Sequence, residues 1–275
     1  MSSPRVRRAR PRRRVDLKKT LFLLPNMVTL ASVFCGFNAI LLLSAGTVNA
    51  DTAGRSAILL LFAMLFDLLD GRVARLTRTQ SSFGLQLDSL ADVISFGVAP
   101  ALLIYKSALI RHPVVGSLAA FLFVACGVVR LARFNVMSSS ELGEKKPGRN
   151  TVGLPIPPAA AGLVAVVVAR PIPSLDRADE PFAQLALGLT IALSLLMVST
   201  VPFRSFKDLK LNTSSILLVC FAVGSSVFVW KHFSVHLVLV WLLSVYVAIG
   251  ILETVRSIAR RARRLARSSI PPVEP

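Results

Sequence analysis

The chain reads DLLDGRVARLTRTQSSFGLQLDSLAD over residues 67–92, a stretch that holds four of the 14 acidic residues. Its fixed points are Asp67-x2-Asp70-Gly71-x2-Ala74-Arg75-x8-Gly84-x3-Asp88-x3-Asp92. The flanking residues 56–66 and 93–103 are mostly apolar and carry no charge. Carboxylates at the ends of membrane-length apolar segments are costly to keep there, so they indicate a functional site.

Helical spacing predicts that these aspartates converge. One helix face holds the positions i, i+3, i+4, i+7 and i+8, which here are Asp67, Asp70, Gly71, Ala74 and Arg75. Asp88 and Asp92 share a face of the next helix. Because only residues 76–83 join the two helices, we expect antiparallel packing, with Gly71 and Ala74 allowing close approach. An all-oxygen cluster suits Mg²⁺ or Mn²⁺ better than zinc, and one or two such ions bridge phosphate oxygens well.

Two other interpretations of the aspartates remain at this point. They could form a polar seam between transmembrane helices, or an ion path through a transporter or channel. Four aspartates in register with Gly71, Ala74 and Arg75 favour a metal site over the seam. Their position at the ends of apolar runs, rather than at the midplane expected of a transport site, argues against the ion path.

The complete pattern resembles the signature of the CDP-alcohol phosphatidyltransferases, membrane enzymes that move a phosphatidyl group from a CDP-lipid to an alcohol and release CMP. The resemblance implies that Asp67, Asp70 and Asp88 ligate two Mg²⁺ or Mn²⁺ ions. It implies that Asp92 is the general base and also contacts metal. The residues implied to bind the CDP-lipid, two of them from Pro25-Asn26-x2-Thr29, are Asn26, Thr29, Gly71, Arg75 and Ser81.

Three further stretches resemble the serine-transferring branch of that family, namely residues 92–100, 130–135 and 153–160. This resemblance predicts CDP-diacylglycerol and L-serine as substrates. Arg130 and Arg133 could bind the serine carboxylate through planar bidentate contacts, with Asn135 beside them. Both arginines could instead anchor a helix end at the membrane surface. Glycerol phosphate or an inositol compound is the alternative acceptor.

Composition independently indicates a membrane protein. The 275-residue chain is 54% hydrophobic and has a mean hydropathy of +0.67, which is too apolar for an ordinary soluble domain. We predict an all-α polytopic membrane bundle of about eight transmembrane helices, since apolar spans near 20 residues mark such helices. The spans are 27–45, 56–73, 87–107, 114–134, 154–169, 183–203, 215–230 and 235–255. Three prolines in the fifth predict that its helix begins late or is broken.

The distribution of basic residues predicts the orientation. If the spans alternate, 26 of the 32 basic residues lie on the same side as the N-terminus. The positive-inside rule then puts both termini and the aspartates in the cytosol. We therefore predict an integral protein of a bacterial inner (cytoplasmic) membrane whose active site faces the cytosol.

The net charge of +18 is concentrated in two tails, at residues 1–20 and 256–275, on either side of a transferase transmembrane domain at 21–255. Such juxtamembrane runs attract anionic lipid, so we predict lipid rather than nucleic acid as their partner. Residues 15–24 are expected to form a short interfacial helix that ends before Pro25. The family resemblance also implies a homodimer.

Overall fold

The computed structural model describes residues 17–77, 79, 81–140, 150–169, 180–200 and 202–204. Most of these residues lie in helices. The α-helices are α1 (Leu17–Ser44), α2 (Ala50–Leu76), α3 (Ser82–Asp92), α4 (Ala99–Ile104), α5 (Pro113–Ser140), α6 (Ile156–Ala169) and α7 (Glu180–Val198). The π-helical segment Val93–Val98 joins α3 to α4, and a second, Tyr105–Leu109, follows α4, so that one helical stretch runs over Ser82–Leu109.

Among the described residues, one short pair of strands interrupts the helical architecture. Strand β1 (Asn150–Val152) pairs antiparallel with β2 (Pro202–Arg204). Gly153 follows β1 with a φ of +88°, and a Cβ at that position would overlap the Met197 carbonyl oxygen. Glycine therefore permits both the backbone conformation and the close approach at the start of α6. The predicted helical fold is confirmed for the described helices, and the strand pair is an addition that the sequence pattern does not indicate.

Four helices in the described part of the chain are long and apolar enough to cross a membrane, consistent with an integral membrane protein. They are Leu23–Ser44, Ser82–Leu109, Pro113–Met137 and Glu180–Val198, and they match the first, third, fourth and sixth predicted spans. The second predicted span lies in the 27-residue α2. The seventh and eighth lie outside the described residues, as do the tails 1–16 and 256–275, so eight spans and cytosolic termini stay predictions.

The fifth predicted span is α6, which begins late, as its prolines predict. Pro157 and Pro158 occupy its first turn, where a missing backbone N–H is tolerated. The helix has 14 residues, or about 21 Å at 1.5 Å per residue, which is short of the roughly 30 Å hydrocarbon core. Leu154, Ile156 and most of the helix are buried within the bundle.

The expectation of a separate interfacial helix ahead of Pro25 is wrong for its described part. Helix α1 begins at Leu17 and runs through Pro25 without a break. The proline removes its own N–H from the helix ladder, but the helix continues for more than four further turns. Those later turns carry the extensive packing against α2 that stabilises the whole helix.

The predicted close packing of α2 on α3 through Gly71 and Ala74 is not found, although the two helices meet at the aspartates. Helix α1 packs most extensively against α2, and α3 packs mainly on α1 and the following π segment, with few direct contacts to α2. Apart from the adjoining backbone of α2 itself, no atom of the described residues lies within 4 Å of where a Cβ at Gly71 would stand. The close contact is instead at Gly36 of α1, where a Cβ would be 2.7 Å from Ser95 Oγ. Helices α2 and α3 are therefore separated beside Gly71 rather than pressed together.

Candidate functional site

Three of the motif aspartates lie together between α2 and α3. One carboxylate oxygen each from Asp67, Asp70 and Asp88 lies within 4.8 Å of the other two. Asp70 is buried, with 5% of its surface exposed, while Asp67 and Asp88 are half-buried. The helical spacing accounts for this, since Asp67 and Asp70 share a face of α2. The structure thus brings together three residues predicted to ligate metal.

Asp92 completes the aspartate cluster, by which we mean Asp67, Asp70, Asp88 and Asp92. It is the last residue of α3 and is 8% exposed. The other three carboxylates act on it as like charges, and the Arg130 guanidinium acts on it as the opposite charge. A π-helical segment begins at the next residue, and such segments occur frequently at functional sites.

Helix α1 lines the cluster on a third side. The Thr29 hydroxyl donates to Asp70 Oδ2 at 2.6 Å and also lies 3.1 Å from the Pro25 carbonyl oxygen. Thr29 is buried, whereas Asn26, one turn earlier, is half-buried. A Cβ at Gly84 would stand 3.5 Å from Asn26 Oδ1, so Asn26 lies beside the start of α3. Both residues predicted from the Pro-Asn-x2-Thr element therefore adjoin the aspartate motif.

The connection between α2 and α3 is fixed by local hydrogen bonds at both ends. Thr77 caps α2, with its backbone N–H 2.9 Å and its hydroxyl 2.8 Å from the Val73 carbonyl oxygen. Ser81 caps α3 and accepts a hydrogen bond from the Gly84 backbone N–H at 3.0 Å. Ser81 is exposed, as is Arg75 in the last turn of α2. These two predicted lipid-contacting residues are therefore accessible from outside the bundle.

The end of α5 brings Arg130 toward the cluster. The Arg130 guanidinium stacks over the Phe134 ring, 5.6 Å from its centroid, while also facing the charge of Asp92. Arg133 is half-buried, and among the described residues it has neither an ion pair nor a hydrogen bond. Of the two predicted carboxylate-binding arginines, Arg130 is thus the one already engaged with an acidic residue of the site.

Asn135 makes contacts with α3 that the sequence pattern does not predict. Its Nδ2 donates to Ser89 Oγ at 2.9 Å and to Gln86 Oε1 at 3.3 Å. Ser89 Oγ also lies 3.0 Å from the Leu85 carbonyl oxygen. These bonds tie α5 to α3 one residue from Asp88. Gln86 and Ser89 are three residues apart on a helix, and that spacing is the signal that could have identified them.

The donor set of the cluster fits a hard divalent cation. Carboxylate oxygens are the ligands that Mg²⁺ and Mn²⁺ prefer. Opposite ligands of an octahedral Mg²⁺ lie about 4.2 Å apart, close to the 4.8 Å limit that encloses the three carboxylate oxygens. Asp67, Asp70 and Asp88 are the described residues that could hold such an ion, and Asp92 lies beside them.

Comparison with known proteins agrees with this geometry. The model of the CDP-alcohol phosphatidyltransferase family matches residues 22–247. A CDP-diacylglycerol–serine O-phosphatidyltransferase of Helicobacter pylori strain J99 is 37% identical over 72% of this chain and 79% of its own. An archaetidylserine synthase of Methanothermobacter thermautotrophicus is 37% identical over 72% and 77%, and the Bacillus subtilis serine O-phosphatidyltransferase is 37% identical over 67% and 91%. Since the family match spans both the aspartate cluster and most of the helices, the chain belongs to the CDP-alcohol phosphatidyltransferase family.

Proposed function

We propose that the protein transfers the phosphatidyl group of CDP-diacylglycerol to the hydroxyl of L-serine, giving phosphatidylserine and CMP. The carrying observation is the aspartate cluster: three carboxylate oxygens within 4.8 Å of one another, with Asp92 beside them. Serine as acceptor is supported by the printed names of the relatives, two of which are serine O-phosphatidyltransferases and one an archaetidylserine synthase.

On the donor side, Asp67, Asp70 and Asp88 would hold two Mg²⁺ or Mn²⁺ ions, with Asp92 as a further contact. When bound, such ions supply charge neutralisation for the pyrophosphate and for the CMP leaving group. The open space at Gly71 leaves room for a lipid phosphate beside Asp70. Arg75 would contact the pyrophosphate, and the exposed Ser81 would add a polar contact at the same end of the bundle.

Asp92 is the proposed general base. The serine hydroxyl oxygen forms a bond to the phosphatidyl phosphorus, and the bond from that phosphorus to the CMP oxygen breaks. Asp92 accepts the proton that the serine hydroxyl loses. The position of Asp92 at the end of α3, beside the other three aspartates, supports this role because the base must lie within hydrogen-bond reach of the attacking hydroxyl.

On the acceptor side, Arg133 is the proposed partner of the serine carboxylate. No hydrogen bond or ion pair joins its guanidinium to another described residue, and its planar fork suits a bidentate contact with a carboxylate. Arg130 would lie between Asp92 and the acceptor, and Asn135 would hold α5 against α3 while facing the same region. The excess of basic residues on one side of the predicted spans supports a cytosolic active site at a bacterial inner membrane, and basic tails that bind anionic lipid.

An acceptor panel tests this function. Purified protein in detergent receives CDP-diacylglycerol, Mn²⁺ and one alcohol at a time: L-serine, glycerol phosphate or an inositol compound. Release of CMP is the measurement. We expect release to require an alcohol and to be fastest with serine. Release that is faster with either other alcohol would assign a different acceptor, and no release with any alcohol would refute the transferase proposal.

A further inference from the structure

The Thr29 hydroxyl is already committed to one of the aspartates. Thr29 and Asp70 are both 5% exposed, and the 2.6 Å distance between Thr29 Oγ1 and Asp70 Oδ2 is that of a strong charge-assisted hydrogen bond. A threonine hydroxyl has one proton to donate. The Pro25 carbonyl oxygen is the other acceptor near this hydroxyl, at 3.1 Å, so the shorter contact with Asp70 is the stronger of the two. With its proton shared between these two oxygens, Thr29 does not offer it to a nucleotide.

A second hydroxyl on α1 provides a direct contrast. Ser32, three residues further along the same helix, is 2% exposed and donates to the Ala63 carbonyl oxygen of α2 at 3.0 Å. Both hydroxyls therefore cross the same α1–α2 interface. The Ser32 hydroxyl donates its hydrogen bond to a backbone carbonyl, so its role is to join the two helices. The Thr29 hydroxyl donates to a carboxylate of the aspartate cluster.

The Thr29 bond restricts how Asp70 presents its oxygens. A carboxylate that accepts a hydrogen bond on Oδ2 loses rotational freedom about its side-chain torsions. Asp70 is also the most buried member of the group formed with Asp67 and Asp88. Hydrogen-bond partners of metal-binding carboxylates commonly tune affinity, and their loss typically costs about 10- to 100-fold in metal binding.

We propose that Thr29 is a positioning residue for the divalent metal site: its hydroxyl orients the Asp70 carboxylate toward the oxygens of Asp67 and Asp88. This inference rests on the proposed function in so far as Asp70 is a metal ligand. It assigns Thr29 a role through Asp70, in place of the direct lipid contact that the family resemblance implies.

Metal affinity measured without substrate tests the proposal. Purified protein in detergent is titrated with Mn²⁺ alone, and free Mn²⁺ is followed by electron paramagnetic resonance. Thr29→Val removes the hydroxyl and keeps the side-chain shape, so we expect Kd to rise about 10- to 100-fold. Thr29→Ser keeps the hydroxyl and should bind within about threefold of wild type. Should Thr29→Val fail to fold, Thr29→Ala makes the same deletion with a better helix former.

Ser32→Ala is the matched control, because it removes a buried hydroxyl from the same interface without touching an aspartate. We expect its Kd for Mn²⁺ to equal that of wild type. An equal rise in Ser32→Ala, or an unchanged Kd in the Thr29 deletion, would overturn the positioning role while the proposed function stands. A wild-type protein that binds no Mn²⁺ would overturn the positioning role together with the proposed metal site.

Discussion

Two polar regions lie within the same group of helices, and they differ in the kind of polar group that they bring together. One is a serine–glycine seam, formed by Ser32, Gly36 and Ser95 where α1 meets α2 and the π segment after Asp92. There the Ser95 hydroxyl donates to the Ser32 carbonyl oxygen at 3.1 Å, and the Ser32 hydroxyl donates to the Ala63 carbonyl oxygen. Each serine hydroxyl thus donates to a backbone carbonyl oxygen. The absence of a side chain at Gly36 lets α1 approach the π segment at Ser95. The seam holds helices together.

The aspartate cluster differs because it gathers like charges. Four carboxylates lie close together between α2 and α3, where their like charges repel one another. Helix packing alone gives no reason to collect them there. A polar seam was one interpretation of these aspartates, and the structure has such a seam, but it is built from serines and glycine. The comparison separates residues that join helices from residues that could hold a cation.

The largest expected effect follows from removing one charge from the cluster. Asn at Asp67, Asp70 or Asp88 should lower activity to the background of a CMP-release assay, because a metal ligand is lost while the protein stays in the membrane. Excess EDTA should do the same to wild type, reversibly. Asp51→Asn is the control, since Asp51 lies at the other end of α2 in an exposed pair with Arg55 at 3.0 Å. Full activity in EDTA would contradict the metal assignment.

Asp92→Asn should separate the general base from the metal ligands. We expect kcat to fall by about 10²- to 10⁴-fold, the usual contribution of general-base catalysis, while CDP-lipid affinity survives. Asp67, Asp70 and Asp88 would still hold the cations. Lipid binding and single-turnover CMP release, measured on the same variant, check this. A collapse of both would make Asp92 primarily a ligand, and no change in either would remove it from catalysis.

Arg133→Ala should act on one substrate only. Loss of a charge-assisted bidentate contact costs about 2–3 kcal/mol, so we expect KM for serine to rise roughly 30- to 150-fold. KM for CDP-lipid should change much less. Arg133→Lys keeps the charge without the planar fork and should recover only part of the loss. Steady-state kinetics with each substrate varied provide the measurement, and equal effects on both KM values would indicate a structural role.

The smallest expected effect belongs to the seam. Gly36→Ala puts a methyl group 2.8 Å from Ser95 Cα, so we expect destabilisation of about 1–3 kcal/mol from overpacking. The aspartates should still bind Mn²⁺ in the protein that remains folded. Gly54→Ala is the control, because the added methyl group would have no packing neighbour within 4 Å among the described residues, apart from the adjoining backbone of its own helix. Thermal unfolding in detergent is the measurement, and equal melting temperatures for the two variants would show that the seam tolerates the added methyl.

The sequence predicted the components of the site better than their arrangement. Helical spacing was enough to place Asp67 and Asp70 on one face of α2, and the short connection to α3 was enough to expect Asp88 close to them. It could not show that α1 would lie against both α2 and α3. That packing depends on contacts between residues far apart in sequence, such as Gly36 with Ser95 and Ser32 with Ala63.

The same limit explains the different outcome for the polar residues around the aspartates. Thr29 was associated with the lipid because its motif adjoins the nucleotide in the family, and its bond to Asp70 spans 41 residues. Asn135 was associated with serine, and its bonds to Ser89 and Gln86 span 46 and 49 residues. Local periodicity contains no information about such pairs. Family membership itself was predictable, since it depends on a contiguous pattern of residue types.

The π-helical segment Val93–Val98 has a consequence for how this protein can vary during evolution. A π turn holds roughly one residue more than an α turn, so it offsets the helix on its two sides by about 100°. Loss of a single residue there would restore regular α geometry and rotate Asp88 and Asp92 relative to the buried Phe96 and Ala99. The length of this segment should therefore be more constrained than its half-buried and exposed side chains, those of Val93, Ile94 and Val98. An alignment of active relatives should contain substitutions at those three positions and no single-residue gap.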